Sequence, residues 1–139
     1  MSRVALGVLF FYAGITKVLN PSWSAAGYLN SAKTFPGLFQ WFASAGNLGW
    51  VNLVNEWGLT LVGVALISGL LVRWASLGGI LLMILYYLPV LEFPYIAPHS
   101  FLVDEHIIYI TAFLVLFASN AGTFLGLDSW LQKRSKVDI

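Results

Sequence analysis

Between Glu56 and Glu92 the chain carries a single charged residue, Arg73. A helix that crosses a bilayer needs about 17–25 mostly apolar residues. In hydrocarbon every backbone N–H and C=O must find its partner within a helix or a closed barrel. The stretch therefore reads as two spanning helices, about 52–72 and 74–91, joined by little more than LVRWAS. So tight a connection makes an antiparallel helical hairpin.

Two further apolar runs, 3–19 and 102–124, bring the number of spans to four. The first has a short uncharged middle, but Arg3 and Lys17 can snorkel to opposite interfaces. The expected fold is an all-α membrane protein, an antiparallel four-helix transmembrane bundle forming one domain over 1–139. The totals agree: 9% of residues are charged, against about 25% in soluble domains, too few to cover a water-facing surface. An apolar run followed by SWS before Ala25 imitates a secretory signal, but Lys17 falls after the apolar core, where such a signal has no place for it.

The connection from the first span to the second, roughly 20–51, is long. Within it FPGLFQWFASAG sets Leu38, Trp41, Phe42 and Ala45 at helical spacing. It predicts a short helix that lies in the interface or folds back over the bundle. Lys and Arg set the orientation. Arg3, Arg73, Lys133, Arg134 and Lys136 fall on one side, Lys17 and Lys33 on the other. Both termini are expected in the cytoplasm of a multi-pass cell-membrane protein, with the long loop facing outward.

That topology sorts the polar residues by height. Arg3, Arg73 and Asp128 gather at the cytoplasmic end, where they are expected to anchor and to form structural ion pairs. Lys17, Glu56, Glu92, Asp104, Glu105, His99 and His106 gather at the outer end. Helical spacing adds faces. Arg3, Gly7, Phe10, Gly14 and Lys17 form one stripe, Glu56, Thr60, Gly63, Ile67 and Leu70 a second, and Glu105, Tyr109, Ala112, Leu116 and Ser119 a third. Small and polar residues favour helix–helix faces in membranes, and intramembrane ionisable groups face the bundle interior and pair there. Lys17, Glu56 and Glu105 are therefore expected to point inward at one depth, either as an ion pair or as a binding site.

Adjacent helical positions cannot converge on one ion, so Asp104, Glu105 and His106 do not read as a metal site. Asp104 reads as the cap of the fourth helix. His106 either handles protons near neutral pH or reaches headgroups at the interface. Glu92, at a helix C-terminus, opposes the dipole and is either solvated or matched by a cation. The chain has no cysteine, which removes disulfides, thiol catalysis and thiolate metal sites. Any redox chemistry then belongs to a bound organic molecule or to a partner.

RVALGVLFFYAGITKV, EWGLTLVGVALISGLLVRWAS and DEHIIYITAFLVLFASNAGTFLGLD resemble the DoxX family of four-helix membrane proteins. The aromatic loop, with YLNSAK and FPGLFQWF, is closer to its DoxD-like branch, the membrane subunit of thiosulfate:quinone oxidoreductase. The resemblance covers almost the whole chain and is carried by Arg3, Gly14, Lys17, Glu56, Gly63, Gly69, Arg73, Glu105 and the closing Gly126-Leu127-Asp128. It implies oxidation of two thiosulfates to tetrathionate coupled to quinone reduction, a second small subunit, and quinone as substrate; other relatives are tied to thiol and oxidative-stress systems of the envelope. On that expectation Glu56, Glu105 and Lys17 are the catalytic candidates. Lys17, Trp41, Trp57, Tyr109 and His106 are the candidates for binding substrate or quinone. The competing reading is a non-catalytic module that docks an envelope partner or a second copy.

Overall fold

The computed structural model describes residues 2–92, 95–97, 100–123 and 126–137; His99 and the predicted end of the fourth span at Phe124 lie outside them. Helices dominate: α1 (Ser2–Val18), α2 (Ala26–Asn30), α3 (Pro36–Phe42), α4 (Leu48–Ser68), α5 (Val72–Val90), α6 (Glu105–Ala118) and α7 (Leu127–Val137). A small antiparallel hairpin, β1 (Tyr95–Ala97) with β2 (Ser100–Phe101), links α5 to α6. α4 and α5 are long and apolar enough to cross a membrane. α1 has 17 residues and α6 has 14.

α1, α4, α5 and α6 share one core of Phe10, Leu59, Val62, Leu66, Val72, Met83, Phe113 and Leu116. The predicted α1 stripe holds: Gly7, Phe10 and Gly14 are its buried residues, with Arg3 and Lys17 half-buried at its ends. The glycines let the backbones meet. A Cβ on Gly14 would run into Thr60, and one on Gly63 into the backbone of Phe11. This is the close approach that small residues permit where apolar side chains gain nothing over lipid.

α4 ends four residues earlier than expected. Gly69, at φ 72°, takes the left-handed turn that closes a helix, and a side chain there would also strike the Arg3 guanidinium. α5 then starts without a cap from its own sequence. Asp128 supplies it from the far end of the chain, its carboxylate accepting from Leu71 N at 3.0 Å and Val72 N at 3.4 Å. For Arg73 the expected ion pairing is thereby revised. Among the described residues Arg73 forms no ion pair with Asp128; its guanidinium lies 4.7 Å from the centre of the Phe117 ring. Arg3 donates to Ala121 O at 3.0 Å. These groups tie α1, α4, α5, α6 and α7 together at one end through backbone partners and a ring.

The 20–51 segment folds back over the other end. Ala25, Leu29 and Phe39 form a second small core against Leu48 and Val51 of α4 and Leu88 of α5. Lys33 N donates to Pro89 O at 2.9 Å and Thr34 Oγ1 to Leu91 O at 2.6 Å. α3 is the predicted short helix, with Phe39 buried and Leu38 and Trp41 outside. Glu92 finds its cation in exposed Lys33, at 3.2 Å.

Candidate functional site

Under this cap lies a cavity of about 260 Å³. α1 brings Lys17 to it, α4 brings Asn55, and α5 brings Tyr86; Trp23, Tyr28, Phe39, Phe42 and Trp50 come from the cap and the start of α4. Lys17 Nζ donates to Asn55 Oδ1 at 3.1 Å and to Tyr86 Oη at 2.8 Å. The Tyr86 hydroxyl in turn donates to Asn55 Oδ1. The ammonium also sits 4.7 Å from the centre of the Trp23 ring and 5.1 Å from that of Tyr86, within reach of the attraction between a cation and an aromatic face.

An ammonium has three donors, and two are taken by neutral oxygens. The third has no protein acceptor among the described residues. Lys17 forms no ion pair with Glu56 or Glu105 among them; the Glu56 charge acts on it from beyond contact distance, while Glu105, expected inward, is turned away. The reason is rotation. Glu105 is exposed, and α6 buries Phe113 and Leu116. The inward side of α6 thus keeps Tyr109 and Leu116 of the predicted stripe and takes in His106 and Phe113 beside the predicted Glu105 and Ala112.

His106 therefore belongs to the interior side. Its ring stacks on Tyr86, with centroids 6.1 Å apart and planes 19° from parallel, and its Nδ1 lies 2.6 Å from Asp104 Oδ2. Asp104 does cap α6, accepting from His106 N at 3.0 Å and Ile107 N at 3.4 Å. Tyr28 closes the outer side by donating from its hydroxyl to Tyr86 O. Burial, with Asp104 and Glu105 adding negative charge nearby, pushes that phenol up to about 12, so it stays a donor at neutral pH.

Of the predicted binding residues, only Lys17 lines the cavity. Trp41 is 55% exposed and Trp57 faces outward from α4. Tyr109 packs edge-on against Phe10 at 5.7 Å within the core. Glu56 sits half-buried beside Asn55, its C=O accepting from Thr60 Oγ1 at 2.7 Å. The residues that sequence reasoning missed are Asn55, Tyr86, Tyr28 and Trp23. Asn55 and Tyr86 had a readable signal: Asn55 continues the buried spacing Leu59, Val62, Leu66, and Tyr86 continues Val72, Ser76, Gly79, Met83.

A preorganised cation at the end of an aromatic-walled slot can donate to a carbonyl oxygen or hold an anionic group, with apolar surface for the rest of a ligand. No curated protein and no solved structure matches the chain. The DoxX family model matches residues 1–91, which contain α1 to α5 and every residue that lines the cavity, and the chain therefore belongs to DoxX, a family of membrane proteins.

Proposed function

We propose that the chain is the membrane subunit of a quinone-linked oxidoreductase of the DoxD-like kind, with thiosulfate as the reductant. On this reading α1, α4, α5 and α6 all cross the bilayer as a four-helix bundle with both termini cytoplasmic, and the cavity opens near the outer face. The carrying observation is Lys17, an ammonium held by neutral Asn55 and Tyr86 against the Trp23 ring at the polar end of an apolar cavity. Its remaining N–H is placed for a quinone carbonyl oxygen, Trp23 offers a flat wall, and Asn55 and Tyr86 fix the ammonium. The chain has no cysteine, so electrons pass between bound substrates or through a second small subunit.

The test is thiosulfate-dependent quinol formation in membranes. Trp23→Ala removes a cavity wall and should cut the rate by about tenfold or more, the scale of losing one aromatic contact plus its cation–π attraction. Trp57→Ala, on the outer surface, should leave it unchanged. Equal rates in both variants would sink the assignment.

One observation favours a docking module instead. The cap exposes Phe35, Leu38 and Trp41 together on its outer side. That reading expects Leu38→Ser with Trp41→Ser to abolish co-purification of an envelope partner while Lys17→Met leaves it intact. Retention of the partner by the double variant would dispose of it.

A further inference from the structure

α7 begins against the α4–α5 turn. Asp128 N donates to Gly69 O at 3.1 Å, and the Asp128 carboxylate caps α5. Asp128 is the helix's one acidic residue, and it is turned into the protein. What remains outward carries no negative charge: it is apolar, basic or uncharged polar. Leu127, Trp130 and Leu131 follow the i, i+3, i+4 spacing of one helix face, and all three are exposed, Trp130 at 54%. Arg134, a turn further on, lays its guanidinium 4.9 Å from the Trp130 ring centre, and exposed Lys133 flanks it.

The α4–α5 turn joins two helices long and apolar enough to cross a membrane, so it marks a membrane face, and α7 is pinned beside it. A helix of low overall hydrophobicity with Trp and Leu on one side and Lys and Arg beside them suits the headgroup region. Trp favours that depth, and clustered basic residues at a membrane surface select anionic lipid. We infer that α7 lies in the bilayer interface at this end and binds anionic phospholipid headgroups through Lys133 and Arg134, with Leu127, Trp130 and Leu131 sunk among the acyl chains. The inference rests on α4 and α5 crossing the bilayer and is independent of quinone chemistry.

The chain's lack of cysteine makes single-cysteine labelling a clean readout. Leu131→Cys, on the apolar face, and Gln132→Cys, beside it, are made in the full chain and placed in nanodiscs of phosphatidylcholine alone or mixed with phosphatidylglycerol. Labelling with a membrane-impermeant maleimide is followed. In the anionic discs Leu131→Cys should react about tenfold more slowly than Gln132→Cys. That ratio should shrink by about fivefold in neutral discs or when Lys133 and Arg134 are both replaced by Glu, the scale of losing charge attraction at an anionic surface. Equal rates at the two positions, or a ratio that ignores lipid charge, would overturn the inference. So would an interchain disulfide through Leu131→Cys in the anionic discs, which would assign the face to a second copy. Leu81→Cys, exposed midway along α5, reads the crossing separately: it should stay unlabelled, and its labelling would remove the bilayer crossing on which the inference stands.

Discussion

Gly63→Leu should leave little folded protein. A Cβ at Gly63 already overlaps the backbone of Phe11, so the obstacle is a main chain that cannot rotate away. α1 and α4 would have to separate along the face where Gly14 meets Thr60 and Gly7 meets Leu66 and Ile67. Overpacking of a tight core costs about 1–3 kcal/mol and sometimes more. Where backbone is the obstacle, the upper end or beyond is expected. Separation would also pull Lys17 from Asn55, since one sits on each helix. Gly78→Ala is the control: its Cβ would meet only Val62 Cγ2, at an ordinary 3.9 Å. Thermal unfolding of detergent-purified protein should show a lowered midpoint or no transition for Gly63→Leu and a near-native midpoint for Gly78→Ala. A native midpoint for Gly63→Leu would show that the α1–α4 contact does not hold the fold.

Lys17→Met should lose quinone binding while keeping the fold. Methionine nearly matches the length of the stem, so packing against Trp23 is retained and only the ammonium goes. A hydrogen bond from a charged donor contributes about 1.5–3 kcal/mol, which corresponds to roughly 10-fold to 150-fold in Kd. Removing a half-buried charge held by neutral oxygens also relieves its desolvation, which offsets the lost attraction to Glu56, so the variant should unfold at a midpoint close to that of the native protein. Titration of a short-chain quinone, followed by quenching of tryptophan fluorescence, measures the first effect; thermal unfolding measures the second. An unchanged Kd would separate Lys17 from the ligand.

The sequence made the α1 face legible because its markers are unusual in an apolar helix. Arg3, Gly7, Gly14 and Lys17 could only be inward at that spacing, and they are. On α6 Tyr109 and Leu116 were legible as inward, but the first turn was misread because charge alone does not say which of two neighbours faces in. Of the two adjacent ionisable residues Glu105 stays exposed, whereas ring stacking on Tyr86 and the Asp104 contact draw in His106. Asn55, the α4 partner of Lys17, was missed for a related reason. α4 packs against both α1 and the shared core, so its buried side is wide enough to hold Thr60 and Gly63 as well as Leu59, Val62 and Leu66. A single stripe through Glu56 captured only part of it and passed over Asn55. The aromatic walls were illegible in another way. Trp23, Phe39 and Phe42 reach the cavity through the fold of a cap built from two short helices, and no period in the sequence reports where a cap comes down.

Binding of quinone in the Lys17 cavity is tested most directly by a structure of the full chain in lipid with a short-chain quinone. The expected result is a flat head group between Trp23 and Tyr86, with one carbonyl oxygen within hydrogen-bonding distance of Lys17 Nζ. A cavity filled by an acyl chain, with the head group elsewhere on the molecule, would contradict it.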